Sequence, residues 1–463
     1  MSDAPNHTQN EPQAACPSLP PALWHTLKQH LKTQAQALGF ADVGITDVDL
    51  SDYEPHFFHW LAQGHHGTMD YMHRHGTKRT RPTALLPLTK RVISVRMHYY
   101  DLEAQDPIAV LQHPHRGYVS RYALNKDYHK LMRKRLKQLG QSLETRFWQL
   151  HQAHTRTDST AQTTSFQVQG RPFCDSAPVL ERPLAHKAGL GFIGKNSLII
   201  HPRGGSWFFL GELYTNLPLP TDPVTPMKQG CGPCRACLSE CPTQAIVGNA
   251  VVDARRCVSY LTIEYSGVIP EPLRAQIGNR IYGCDDCQLV CPWNRFAKGT
   301  QETAFQTQHD PAHKQLDQVA LLEMWHWSAH TFDQAMAGSP IRRIGYDQWR
   351  RNLSIALGNA LIDIETSQTI LKALKATQQT LTSADACLDE HLQWAIARHQ
   401  KVIHGTLTPI PFYRARLQPA QTRRYVLPPR IPKRARFHPD WHPTDQTTKQ
   451  TTDLTTDFTI DQK

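Results

Sequence analysis

The sequence predicts a multidomain protein of mixed α+β or α/β class. It divides into an N-terminal α/β domain, a small cysteine-rich module and a C-terminal set of paired helices. Three observations predict this. Helical and strand-like patterns alternate between residues 22 and 221. Cysteines then crowd between 231 and 291. Only helical spacing follows, at 316–330, 355–364, 368–381 and 388–404, an arrangement that resembles a short HEAT-like repeat array. The expected divisions are a disordered N-terminus at 1–21, the α/β domain at 22–221, the cysteine module at 222–298, helical repeats at 299–410 and a disordered tail at 411–463.

Each element has its own signal. Leu23, Leu27, Leu31, Ala35 and Leu38 mark one helical face, and Gly39 stops it. Residues 41–46 and 91–96 read as strands. Residues 127–150 read as a basic amphipathic helix, and 151–165 as a Thr/Gln/His-rich loop. The apolar runs Leu198–Ile200 and Trp207–Leu210 look like two strands paired with each other.

A chain of 463 residues with formal charge +11 has room for several cores and favours a polyanionic partner. No stretch is apolar enough to span a membrane, and the first residues hold no apolar signal segment, so a cytoplasmic protein is expected.

The cysteine spacing is the most specific signal. Cys231, Cys234, Cys237 and Cys241-Pro242 form the run C-x₂-C-x₂-C-x₃-C-P of bacterial ferredoxins. Cys284, Cys287 and Cys291-Pro292 repeat it without the first cysteine, and Cys257 can supply the missing thiolate. Eight sulfurs suit two [4Fe–4S] clusters of ferredoxin type. The fourth cysteine of each run crosses to the other cluster. One set is therefore Cys231, Cys234, Cys237 and Cys291, and the other Cys241, Cys257, Cys284 and Cys287. Zinc sites want pairs separated by a longer gap, and disulfide frameworks belong to small secreted chains. Such clusters pass electrons singly, so the chain handles electrons.

Other segments are less decisive. Residues 189–194 match G-x-G-x-x-G, but a polar helical stretch precedes them, so a dinucleotide site lacks its strand. Lys195 and Asn196 can still meet polar groups of a large ligand there. Asp175 lies in an apolar, Pro-bounded turn; desolvation would raise its pKa and suit a proton donor, while spacing alone favours a turn or N-cap residue. Asp127-Tyr128-His129 reads as helix surface. Arg342, Arg343, Arg350 and Arg351 lie in or beside a helix in which Trp349 packs inward, placed to reach phosphates. The tail from 412 to 438 holds eight Lys/Arg and no acid, with Tyr413, Tyr425 and Phe437 interleaved; it suits nucleic acid as well as it suits a solubilising extension.

These motifs together resemble the epoxyqueuosine reductase family of cobalamin-dependent iron–sulfur tRNA-modification enzymes. The resemblance is carried by 38–46 (LGFADVGIT), 66–72 (HGTMDYM), 79–82 (RTRP), 118–124 (YVSRYAL), 175–182 (DSAPVLER), 188–196 (AGLGFIGKN), both cysteine runs, 279–287 (NRIYGCDDC) and 341–346 (IRRIGY). It implies reduction of epoxyqueuosine to queuosine at the tRNA wobble position, the last step of queuosine formation, with Asp175 as proton donor. It implies base-off cobalamin in the N-terminal domain. Arg79, Arg121, Asp175, Gly191, Gly194, Lys195, Asn196 and Ser197 fall in its binding stretches. The D-x-H-x-x-G box of other cobalamin proteins is absent, since Met132 stands where its glycine would be. The resemblance also implies a tRNA anticodon arm as partner. A low-potential donor such as flavodoxin or ferredoxin and a monomeric state complete the expectation. The competing readings are a cobalamin-and-cluster enzyme like the reductive dehalogenases, a nucleic-acid-binding protein with structural clusters, and an electron-transfer ferredoxin with accessory domains.

Overall fold

The structure is a computed structural model that describes residues 15–156, 165–222, 230–307 and 315–408. The expected basic tail and the N-terminal 14 residues lie outside the described residues.

Helix α1 (Pro21–Ala37) buries Leu27, Leu31 and Ala35, the face that its spacing marks. It ends at Gly39, whose φ of +82° an L side chain resists, with Phe40 N–H bonded back to Ala35. The disordered N-terminus expected through residue 21 is corrected here. Leu19 is buried in the first core and Cys16 packs against it, so ordered packing starts before the helix.

Four strands make the main sheet: β1 (Asp42–Thr46), β2 (Arg91–His98), β3 (Gly170–Phe173) and β4 (Phe208–Thr215). Their order is β1-β2-β4-β3 and every pairing is antiparallel. The sheet is therefore of α+β type, without the parallel crossovers that helix–strand alternation led us to expect. The central strands β2 and β4 are almost wholly buried because each face carries a helix. Ile93, Val95, Phe209 and Leu213 pack in one core with the long helix α2 (Tyr128–Thr155). Residues of the opposite parity, Val92 and Tyr214, pack with Leu184 of the short helix α3 (Glu181–Lys187). Gly44 lets this second layer close in, since a Cβ there would meet the Ala188 carbonyl at 2.0 Å.

The expected pairing of Leu198–Ile200 with Trp207–Leu210 does not occur. Ile199–Ile200 pairs with Phe192–Ile193, and residues 208–215 pair with β2 and β3. Two apolar runs close in sequence fitted either partner, and the central position in the sheet took the longer one.

The expected domain divisions interlock. Tyr118–Val119 pairs in parallel with Arg280–Tyr282 of the cysteine module. Thr300 N–H bonds Tyr100, and Phe305 is buried in the first core, so the chain returns to the N-terminal sheet after the module. Beyond it, helices α4 (Gly345–Asn359), α5 (Ile364–Gln378) and α6 (Ala386–Ile403) share one core with Trp349, Ile370 and Leu392. The helix expected at 355–364 is the end of one and the cap of the next. Asp363 caps α5 through Thr366 N–H, and the apolar spacing ran across that break. The helix expected at 316–330 is likewise split, into Leu316–Gln318, Leu321–Trp325 and the start of Ala329–Ala335.

Candidate active site

Asp175 stands at the end of β3 with φ +58°, a left-handed turn that non-glycine residues enter at a cost. Its N–H donates to Glu181 Oε1 at 2.6 Å, across the turn into α3. Its carboxylate is open to solvent, 59 % exposed, and accepts the Tyr128 hydroxyl from the first turn of α2. Tyr128 is fixed by stacking on Phe209, with ring centroids 3.8 Å apart. His129 stacks on its other side at 4.1 Å and sets Nε2 3.7 Å from Asp175 Oδ2. His129 Nδ1 meets Asp127 Oδ1 at 2.6 Å. Residues 127–129, read as helix surface from the sequence, thus face the turn.

The electrostatics correct the expected rise in the Asp175 pKa. Its surroundings desolvate the carboxyl, which alone would raise its pKa. Hydrogen bonds from His129 and Tyr128 and the positive charges of His129 and Arg343 outweigh this and hold it below the ordinary carboxylate value. Burial likewise pushes the His129 imidazolium down, but the bonds and charge of Asp127 and Asp175 lift it to about 9. At neutral pH the proton of this corner sits on His129.

Behind the turn lies an acid pair that sequence reading missed, Glu212 buried and Glu181 half-buried. Glu212, on β4, is fully buried, and neither oxygen receives a well-aligned hydrogen bond; Ser94 and Glu181 are the polar groups facing it. Burial, then the Glu181 charge, drives Glu212 well above its ordinary value. Burial, then the Asp175 charge, raises Glu181 to about 7. Two carboxyls in contact away from water cannot both ionise, so the pair retains a proton. The only sequence signal was a lone Glu in an apolar strand.

The eight cysteines gather in one module, with Cys287 also close enough to Cys237 to feel its charge. Cys231, Cys234, Cys237 and Cys291 lie near enough to perturb one another, as do Cys241, Cys257, Cys284 and Cys287. Burial raises the Cys231, Cys257, Cys284 and Cys287 thiols, and pushes Cys237 and Cys291 up to about 12, so iron binding there must displace a proton. Backbone N–H groups already point at sulfur, Lys195 at Cys231 (3.5 Å) and Ala245 at Cys241 (3.2 Å), the donors that stabilise cluster charge.

Other expected site residues divide. Lys195 Nζ bonds the Gly232 and Cys234 carbonyls, and Asn196 Nδ2 bonds the Cys287 carbonyl, so this turn braces the cysteine loops. Gly191 and Gly194 are needed for packing on Ile200, where a Cβ would come within 2.7 Å of its backbone oxygen and 2.5 Å of its side chain respectively. Ser197, at φ +69°, accepts from Arg182. Arg79 is buried near Asp175, with Nη2 on the Tyr71 carbonyl and Nε unpaired. Arg121 is buried, with Nε and Nη2 lacking a hydrogen-bond partner. Its guanidinium pairs with Asp317 at 2.8 Å, and its N–H, with the Tyr118 and Ser120 hydroxyls, bonds Asp285 inside the second cysteine run. It is a buried tie between three segments.

The four arginines expected to meet phosphates also divide. Arg342 is exposed and pairs with Asp333; Arg343 is half-exposed, pairs with Glu264 and adds charge beside Asp175. Arg350 lies over the Trp325 ring at 4.4 Å. Arg351 is a correction: it is 1 % exposed, with the Leu261, Tyr265 and Gly267 carbonyls as its acceptors, and it cannot reach a phosphate.

Comparison with known proteins gives a consistent result. The family profile described as Epoxyqueuosine reductase QueG, DUF1730, matches residues 79–176, and that of a 4Fe-4S double cluster binding domain matches 230–294. The chain is 50 % identical to an epoxyqueuosine reductase of Aliivibrio fischeri over 380 residues, 82 % of this chain and 93 % of that one. It is 50 % identical over 372 residues to that of Escherichia coli, 80 % and 89 % of the two chains. The fold matches a crystal structure of epoxyqueuosine reductase with a tRNA-Tyr epoxyqueuosine-modified tRNA stem loop, with TM-score 0.64, 23 % identity, and 81 % and 100 % coverage. It also matches epoxyqueuosine reductase from Streptococcus thermophilus, with TM-score 0.61, 24 % identity, and 81 % and 99 % coverage.

Proposed function

This chain belongs to the epoxyqueuosine reductase family, and we propose that it reduces epoxyqueuosine to queuosine in the tRNA anticodon with Asp175 as the acid. The observation that carries the assignment of roles is the Asp175 turn. One solvent-open carboxylate is fixed by Tyr128 and His129 and flanked by Arg343, in a body that also holds two cysteine quartets. The reductive dehalogenase, structural-cluster and bare-ferredoxin readings give way to it.

Two [4Fe–4S] clusters on the cysteine quartets supply electrons one at a time from a low-potential donor of the flavodoxin or ferredoxin class. Base-off cobalamin, when bound, would supply nucleophilic two-electron chemistry. What this structure offers a cobalamin is partial. Arg79 has a buried, unpaired Nε, and Gly189, at φ +77°, has no atom within 4 Å of where a Cβ would stand. These two residues, near the Asp175 turn and at the end of α3, would hold amide groups of the cofactor. Gly191, Gly194, Lys195 and Asn196 act at one remove, by shaping the turn against the cysteine loops.

The chain's own residues handle charge and protons. Asp175 protonates the epoxide oxygen as its C–O bond breaks. Tyr128 and Glu181 hold that carboxyl in place. Arg343, Arg342 and Arg350 present positive charge toward the anticodon arm, and helices α4–α6 back them as a repeat-like support. The test is single-turnover reduction of an epoxyqueuosine-containing stem loop by reduced holoenzyme, followed by mass spectrometry of the nucleosides. Loss of queuosine in a strain without this protein, restored by the intact chain but not by the Asp175→Asn variant, is the expected result. Full restoration by that variant removes Asp175 from the mechanism.

A further inference from the structure

Epoxide reduction to an alkene takes two electrons and two protons. Both C–O bonds break, a C=C bond forms, and oxygen leaves as water. The established activity supplies the electrons. A single carboxyl carries at most one proton, and Asp175 is held ionised at neutral pH. A second proton carrier must face it.

We propose that His129, oriented by Asp127, stores the proton that recharges Asp175, so that the acid of this site is a histidine–carboxyl pair. The proposal rests on the reading of Asp175 as proton donor. The geometry is that of a relay. Asp127 Oδ1 accepts a hydrogen bond from His129 Nδ1–H at 2.6 Å, which fixes the ring and leaves Nε2 as the position that gains or loses a proton. Nε2 lies 3.7 Å from Asp175 Oδ2, wider than a direct hydrogen bond and closed by a small side-chain rotation or one water. Tyr128 keeps the two groups in register, since its ring stacks under the imidazole while its hydroxyl bonds the carboxylate. The transfer balances: imidazolium plus carboxylate gives imidazole plus carboxylic acid, the acid protonates the leaving oxygen, and His129 Nε2 then takes the second proton from water and passes it on by the same route. His129 acts through Asp175 and is a positioning and proton-storing residue.

The charged groups around His129 set its range. Asp127, Lys130 and Arg133 share its helix end, Asp175 and Glu181 approach from the turn, and Arg343 lies beyond Asp175. The two aspartates dominate, so His129 keeps its proton up to about 9. Reduction should therefore hold its rate through neutral pH and fall as pH rises through that value.

The experiment is the pH profile of single-turnover reduction by holoenzyme between about pH 6 and 10, with iron content and stem-loop affinity measured on each variant as folding controls. His129→Gln should lose about 10²-fold in rate at neutral pH and lose the alkaline limb. Asp127→Asn, which keeps the residue's size, should move that limb to lower pH, because the bond and charge that lift His129 are gone. A His129→Gln variant with the wild-type rate overturns the proposal. So does an Asp127→Asn variant whose limb stays in place, since a merely structural histidine would lower the rate without moving the profile. Asp175→Asn distinguishes the underlying reading: if that variant still turns over, the acid assignment itself fails, whatever His129 does.

Discussion

The cysteine module and the Asp175 corner solve opposite problems by opposite means. The module draws all eight proposed ligands from 61 residues of chain, 231 to 291, so local spacing specifies it. The corner draws its groups from 94, 127–129, 175, 181 and 212, brought together by an antiparallel sheet with a helix on each face. A metal cluster selects ligand type and spacing, and both are written along the chain. A proton donor needs an environment, and environment is assembled at a distance.

The comparison breaks most completely at the module. Replacing Cys287 by Ala should remove one cluster. Anaerobically prepared protein should then hold about four irons instead of about eight and show no turnover above background, read by iron assay and single-turnover reduction. Retention of eight irons would mean that Cys287 is not a ligand.

At the corner, Asp175→Asn should lower the single-turnover rate by about 10²–10⁴-fold while iron content and stem-loop affinity stay unchanged.

A subtler contrast lies in pH-dependent stability. Glu212 keeps its proton when folded at pH values where the unfolded chain, with an ordinary value of 4.5, has lost it. The unfolded state therefore binds fewer protons, and stability declines as pH rises above about 4.5. Glu212→Gln should flatten that decline between about pH 5 and 7, measured by chemical denaturation at each pH. An unchanged slope would show that Glu212 is ionised in the fold.

The smallest effects separate the arginines. Arg351→Ala strands three carbonyls and should cost about 1–3 kcal/mol of stability per unsatisfied group, without altering the salt dependence of stem-loop binding. Arg342→Ala should leave the fold intact and reduce the salt slope by about one phosphate contact. If Arg351→Ala flattens the slope instead, the buried and exposed arginines have been assigned the wrong way round.

These residues show where sequence reading reaches. The four arginines look alike along the chain; only burial divides Arg351, spent on carbonyls, from Arg342 and Arg343. Arg121 falls in a matched motif, yet Asp317, almost 200 positions away, consumes its charge. The cysteine runs, helix α1 with its Gly39 stop and strands β1 and β2 were legible because hydrogen bonding and ligand geometry act over a few residues. Strand partners were not, since Ile199–Ile200 and β4 each presented an apolar run that fitted more than one neighbour.

The sequence by itself singled out the eight cysteines proposed to hold iron, because their short intervals repeat the ferredoxin run. It also determined the family, through motifs dense enough to survive any choice of fold. The tertiary structure alone decided the protonation of the Asp175 corner. Desolvation there would have raised the carboxyl's pKa, and it is overruled by His129, Tyr128 and Arg343. Charge interactions depend on distance through space, and in this chain the charges that matter most to Asp175 lie 46 positions before it and 168 after it.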